Sequence, residues 1–345
     1  MARISYLTRI EFGVGEFERL PEYLSELGIS KPLICTDEGL VSAGWGTKIN
    51  ALIPKSVIFD ATPANPTESA VMAAVEKYFN GGCDGIIGFG GGSSIDLAKG
   101  VRILTGHEPS LEQYAAINGG LSKIHGSIAP MIAVPTTAGT GSEVGRAAVI
   151  NMNSGRKLGV LSPFIMPTLA ICDPALTFGL PKGLTAATGM DAISHCLETF
   201  MAPAFNPPAE AIALHGLALG LKAITKAVDD GSNLVARRDM MVCALEGAMA
   251  FQKGLGAIHS LTHPLGAITD LNLHHGTLNA ILAPAVLRFN RESIGVKWDT
   301  LAQIMGGDPD RIMAELNSKI GIPPGLVALG VNKEMMERVA SDALM

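Results

Sequence analysis

Hydrophobic positions in the first half of the 345-residue chain fall into short blocks: "PLICTD" (32–37), "KSVIFDA" (55–61), "GIIGFG" (85–90) and "PMIAVPTT" (130–137). Each has strand length and ends in turn or polar residues. Between them, "TESAVMAAVEKYFNGG" (67–82) and "SSIDLAKGVRILTG" (93–106) carry apolar residues at helical spacing and close on glycine. Strand and helix in alternation predict a mainly parallel sheet covered by helices, with ligands received at the carboxyl ends of the strands. After "TLAICDPALTFGLPKG" (168–183) the rhythm changes. Residues 209–228, 234–252 and 276–290 are long helical stretches rich in Ala, Leu and Met, with no strand alternation among them. The pattern predicts an α/β, Rossmann-like domain over 1–181 and an all-helical domain over 182–345, with the boundary near Pro181.

Composition narrows the classes. A hydrophobic content of 48% describes a large buried core. No apolar run looks long enough for a membrane span, and "MARISYLTRIEFG" lacks the apolar core of a signal peptide. A net charge of −6 without basic clusters argues against nucleic acid and anionic membranes as partners. Five scattered cysteines (Cys35, Cys83, Cys172, Cys196, Cys243), with no C-x-x-C pair, read as buried thiols in a reducing, cytoplasmic setting.

The first chemical candidate is "GFGGGSSIDLAKG" (88–100), which follows a strand and opens a helix. Its glycines let backbone approach a ligand, and the helix start offers free N–H groups to a phosphate. It is neither the G-x-G-x-x-G fingerprint, since Ser93 stands at the third glycine, nor a P-loop. "PTTAGTGSE" (135–143) is a second hydroxyl-rich turn after a strand, suited to a pyrophosphate or to its own backbone. Asp37 ends the first predicted strand, where an acid can hold an adenosine ribose or simply stabilise a turn. It precedes the glycine loop, whereas the usual fingerprint places its acid afterwards. Asn65, between prolines in "TPANPT", presents an amide to a ligand or to a helix start.

The second candidate is a histidine cluster. In "GMDAISHCLETF" (189–200), Asp191 and His195 are four residues apart and share one helix face. "GAIHSLTHPLGAITDLNLHHG" (256–276) repeats that spacing with His259 and His263 ahead of Pro264, then adds His274 and His275. Three imidazoles and one carboxylate suit Fe(II), Zn, Mn or Ni, and without cysteine they do not read as a structural zinc site. His107, His125 and His215 read as ordinary surface or core histidines.

With "GGGSSID", "PTTAGTGSE", "TGMDAISHCLE" and "HSLTHPLG…HHG" in this order, the chain resembles the iron-containing (group III) alcohol dehydrogenases over nearly its whole length. The resemblance implies a dehydroquinate synthase-like fold and a homodimer. It implies Asp191, His195, His259 and His275 as ligands of Fe2+, with Zn2+ as an alternative, and His263 as a non-ligand histidine beside the nicotinamide. It implies Asp37, Asn65, Gly91, Gly92, Ser93, Thr136, Thr140 and Lys157 as NAD contacts. His274 competes with His275, because the segment before them is longer than in familiar members; His275 is preferred because it immediately precedes Gly276. Family members also usually continue beyond "MERVASDALM", so the last helices are expected to be missing.

The implied activity is reversible, NAD-linked oxidation of a small alcohol to an aldehyde or ketone, with the metal lowering the alcohol's pKa and His263 relaying its proton. A non-redox cyclase on the same fold would need Lys and Arg residues to grip a phosphate. Here Lys222, Lys226, Arg237, Arg238 and Lys253 are expected on solvent-facing surfaces. A maleylacetate-type reductase would not need Asp191 with three histidines. A metal- or nucleotide-binding protein without turnover is the remaining alternative.

Overall fold

The computed structural model describes residues 8–268, 271 and 273–343. The chain forms two compact units, one running to Thr136 and resuming at Ser142–Leu176, the other comprising Thr137–Gly141 and the chain from Thr177 onward.

The first unit is built on eight strands: β1 (Arg9–Phe12), β2 (Pro32–Cys35), β3 (Val57–Phe59), β4 (Gly85–Gly90), β5 (Met131–Pro135), β6 (Ala147–Asn151), β7 (Lys157–Leu161) and β8 (Leu169–Cys172). Six of them form one sheet in the order β1-β8-β5-β4-β2-β3, parallel throughout. Successive residues of its strands point to opposite faces. Leu33, Ile86 and Met131 pack into one core with Val71, Ile95 and Val101; Ile34, Ile87 and Ile132 pack into the other with Leu20, Tyr23 and Ile49. Both faces are therefore buried, which is why these strands read as near-continuous apolar runs rather than as alternation.

The helices of this unit are α1 (Leu20–Glu26), α2 (Glu38–Ser42), α3 (Trp45–Leu52), α4 (Glu68–Asn80) and α5 (Gly92–Leu104). The chain winds from β2 outward to β3, then returns to β4 on the other side of β2. The order reverses between β2 and β4, so their carboxyl ends flank a topological switch point. The four strands anticipated from the pattern are present. β1, β8 and the antiparallel pair β6–β7 were not anticipated.

The second unit contains α6 (Lys182–Met201), α7 (Pro207–Asp229), α8 (Leu234–Ala250), α9 (Ala257–Gly266), α10 (His275–Ile294), α11 (Val296–Met305), α12 (Pro309–Lys319) and α13 (Lys333–Asp342). α6 is its axis: every residue from Thr185 to Met201 is buried, against α7, α8 and α10. Contrary to the expectation of no span-length run, α7 is long and apolar enough by length and composition to cross a membrane. Its Ala209, Ala213, Leu217 and Ile224 are instead buried, which is the behaviour of a core helix.

Two cations expected at the surface are inside. Arg237 is buried, donating to Gly231 O at 2.9 Å and Thr185 Oγ1 at 2.8 Å. The Lys253 side chain is fully buried and donates to Thr199 O at 2.9 Å, to Phe200 O at 3.3 Å and to Ala202 O. Lys297 donates to the last two carbonyls from the outside, at 2.7 and 3.2 Å. These ammonium groups satisfy carbonyls that α6 leaves open at its C-terminal end and oppose the negative end of its dipole. Lys253→Met should therefore lower the unfolding free energy in urea by about 1–2 kcal/mol, chiefly through Thr199 O, since Lys297 still reaches the other two carbonyls. A change below about 0.5 kcal/mol would show that the contacts carry no net stability.

Four of the five cysteines are buried free thiols, as expected, and Cys83 is half-buried.

Candidate metal centre

α6 places Asp191, His195 and Glu198 at i, i+4 and i+7, one stripe of a single helix face, all buried. α9 adds His259, and α10 begins at His275. Asp191 Oδ1 is the common point: it lies 3.8 Å from His195 Nε2 and 3.7 Å from both His259 Nε2 and His275 Nε2. Donor atoms of Asp191, His195 and His259 all fall within 4.8 Å of one another. Donors bonded at about 2.1 Å around a tetrahedral ion stand roughly 3.4 Å apart, so a contraction brings Asp191, His195 and His259 onto a metal, and His275 approaches the same set from the Asp191 side. One carboxylate with three imidazoles is a borderline donor set that suits Fe(II) or Zn. The residues present fit the ion.

Electrostatics support this. Burial would raise the Asp191 pKa, but the surrounding imidazoles outweigh it and hold the carboxyl well below its usual range. Burial pushes His195 down to about 4, so its ring is neutral and can offer a lone pair at physiological pH. For His259 burial acts downward too, but hydrogen bonds to Asp191 and Glu198 win and raise it to about 9. Glu198 is the group responsible at the far nitrogen: its Oε2 accepts from His259 Nδ1 at 2.6 Å. The same carboxylate accepts from the backbone N–H groups of Ile258 at 2.6 Å and His259 at 3.3 Å. It thus caps α9 and fixes the tautomer that turns Nε2 toward Asp191.

Glycines admit this packing. A methyl on Gly276 would lie 2.0 Å from Ala187 O, one on Gly247 3.0 Å from His195 Cβ, and one on Gly256 2.9 Å from Glu198 Oε1. The three meet α6 beside Asp191, His195 and Glu198, where helix and loop must come close.

His263 is exposed in the last turn of α9, its ring stacked on His275 at a 5.3 Å centroid distance. His274 precedes α10 and is exposed. His275 is the one of the pair whose Nε2 reaches Asp191. Thr269, Asp270 and Asn272 of the longer segment before it lie outside the described residues. Of the remaining histidines, His215 pairs with Glu246 at 2.8 Å on the surface, and His107 stacks on His125 at 3.9 Å.

Most of the expected NAD contacts sit at strand carboxyl ends in the α/β unit. Asp37 follows β2 and caps α2, its Oδ1 accepting from Leu40 N at 2.9 Å. Gly91 and Gly92 form the turn from β4 into α5. Thr136 N donates to Gly90 O at 3.0 Å and joins the ends of β5 and β4. Lys157 donates to Asn65 Oδ1 at 3.0 Å, and Ser93 Oγ donates to Ala64 O, so these three form one cluster. Thr140 is different: it lies in Thr137–Gly141, which belongs to the helical unit.

Sequence reasoning did not reach Glu198, Thr262 and Asn279. The available signal was positional, since Glu198 continues the Asp191–His195 stripe and Asn279 lies one turn beyond His275.

The chain is similar to known proteins over nearly its whole length. A sequence model of iron-containing alcohol dehydrogenases matches residues 8–174, and one of the C-terminal part of the Fe-containing alcohol dehydrogenase family matches 185–345. The chain is 50% identical to 4-hydroxybutyrate dehydrogenase of Cupriavidus necator, covering all of this chain (100%) and 94% of that protein. It is 35% identical to 1,3-propanediol dehydrogenase of Citrobacter freundii, over 96% and 90% of the two chains. A crystal structure of 1,3-propanediol oxidoreductase superposes with a TM-score of 0.94 at 34% identity, covering 99% and 94%. One of sulfoacetaldehyde reductase from Bifidobacterium kashiwanohense in complex with NAD+ gives 0.91 at 26% identity, covering 99% and 92%.

Proposed function

The chain belongs to the iron-containing alcohol dehydrogenase family, and from that premise we propose a dehydrogenase of short primary alcohols, with a terminal hydroxy acid such as 4-hydroxybutyrate as its first candidate substrate. That it is an NAD-dependent, iron-using oxidoreductase acting on an alcohol group follows from the family. The substrate class rests on the 50% identity, over the whole chain, to a 4-hydroxybutyrate dehydrogenase. The ligand set we assign is Asp191, His195, His259 and His275, supported by the convergence of three imidazole nitrogens on one carboxylate oxygen. A bound divalent metal there supplies Lewis acidity toward an alcohol or carbonyl oxygen, and NAD supplies the hydride acceptor.

The protein's residues divide the remaining work. Asp37, Asn65, Gly91, Gly92, Ser93, Thr136 and Lys157 would hold NAD around the β2–β4 switch point. An exposed imidazole beside a ligand histidine suits His263 to passing the substrate proton to solvent. A homodimer, implied by the resemblance, and a cytoplasmic location, read from the scattered cysteines, belong to the same proposal. Anaerobic NADH formation with 4-hydroxybutyrate, 1,3-propanediol and methanol after Fe2+ loading tests it. Turnover of 4-hydroxybutyrate at a kcat/KM above the two uncharged alcohols is expected. No turnover of any of them by metal-loaded protein would sink the reading.

Two further outcomes follow from the ligand set. His275→Ala should lose metal while His274→Ala keeps it, as metal analysis after dialysis would show; the reverse would transfer the ligand role to His274. Metal uptake should also depend on pH. Without metal, His259 is held protonated up to about 9, and a metal must displace that proton. Apparent affinity should therefore rise about tenfold per pH unit below that value and level off above it. Titration with Zn2+ between pH 6 and 8 that showed no slope would remove His259 from the ligands.

A further inference from the structure

We infer that Asn279 is a positioning residue for the metal site, holding the Asp191 carboxylate in the orientation that faces the three imidazoles. This rests on the ligand set assigned above and adds a residue that coordinates nothing itself. Asn279 lies one turn after His275 on α10 and is fully buried. Its Nδ2 donates to Asp191 Oδ1 at 2.7 Å and lies 3.2 Å from His259 Nε2 and 3.3 Å from His275 Nε2. One amide nitrogen therefore touches three of the four proposed donors.

The carboxylate sets the direction of that amide: Asp191 Oδ1 can only accept, so the NH2 end must face it. Thr262 Oγ1, buried on α9, holds the other end and donates to Asn279 Oδ1 at 2.7 Å. The chain Thr262–Asn279–Asp191 thus ties α9, α10 and α6 at one point. A carboxylate turns about a broad torsion, and a donor at one oxygen fixes which way that oxygen points. An amide does this without adding charge, so Asp191 stays the one carboxylate among the proposed donors.

Metal affinity separates this role from simple space filling. Stripped protein would be titrated with Zn2+ against a competing chelator, and its metal-free melting temperature recorded in parallel. Asn279→Ala should weaken Zn2+ binding by roughly 10- to 100-fold. Thr262→Val, which frees the amide to turn, should weaken it less. The double variant should be no weaker than Asn279→Ala, because Thr262 acts only through the amide. Unchanged or tighter binding by Asn279→Ala would overturn the inference, as would tighter binding by Thr262→Val. A lower melting temperature with unaltered Zn2+ affinity would leave Asn279 a packing residue and also overturn it. If Asn279→Ala does not fold, Thr262→Val alone decides by the same criterion. His259→Ala serves as the control. Loss of Zn2+ there with full retention in Asn279→Ala refutes only the positioning role. Retention in His259→Ala, or no uptake by the unaltered protein, refutes the ligand set itself.

Discussion

Glu198→Ala is expected to weaken metal retention by roughly 10- to 100-fold and to cost about 3 kcal/mol of stability. Both effects come from one carboxylate with three donors upon it. His259 Nδ1 at 2.6 Å, Ile258 N at 2.6 Å and His259 N at 3.3 Å all converge on Glu198. Alanine leaves the first turn of α9 uncapped and the His259 ring free to turn or change tautomer, so Nε2 is no longer aimed at Asp191. Glu198→Gln keeps one acceptor oxygen, enough for Ile258 N, but places an NH2 group opposite the His259 donors and removes the charge that makes His259 a strong base. It should recover only part of the stability and little of the metal affinity. Urea unfolding of stripped protein, set beside chelator competition, separates the two losses. Equal Zn2+ affinity in Glu198→Ala and unaltered protein would show that His259 needs no support from this carboxylate.

That Glu198 escaped sequence reasoning while Asp191 and His195 did not has a physical basis. A carboxylate and an imidazole four residues apart declare themselves, because a helix brings both to one point. Glu198 lies on the same stripe, but a glutamate near a helix end is ordinary. Its meaning comes from the start of α9, some 60 residues away in sequence, being laid beside it. Asn279 and Thr262 are hidden in the same way. The buried cations Arg237 and Lys253 are a harder case, since their partners are mostly backbone carbonyls of other elements, which no residue type announces.

The strands show the complementary limit. β2, β4 and β5 were legible because burial on both faces makes them solid apolar runs bounded by turns. β8, "LAIC", is a run of the same kind and the same length as β2, but it lies inside "TLAICDPALTFGLPKG", where the change of rhythm into the helical half hides it. The β6–β7 hairpin alternates between buried and half-buried positions, but its half-buried ones include Ala147, Val149 and Gly159, so the alternation does not appear as polar against apolar in the sequence. Between them, Gly155 supplies the left-handed residue of a tight turn.

Gly276→Ala should be as damaging as removing a ligand, although the glycine has no side chain to contribute. Its missing Cβ would stand 2.0 Å from Ala187 O and 3.1 Å from Asp191 Cβ. Non-bonded carbons sit at about 3.5–4.0 Å, so the first turn of α10 would have to retreat from α6 by more than an ångström. His275, the neighbouring residue, would move with it, away from the Asp191 oxygen it now approaches to 3.7 Å. Overpacking of a tight contact costs about 1–3 kcal/mol, and an ångström of misplacement costs about 100-fold in rate. The expected variant is folded but less stable, holds metal weakly and turns over NAD about two orders of magnitude more slowly. Thr277→Ala, one residue further along the same turn, is the control and should change little. If Gly276→Ala binds Zn2+ as tightly as the unaltered protein, α10 can yield without carrying His275 away. The glycine after the histidine would then serve packing alone, and the close contact between α6 and α10 would not be what holds His275 in place.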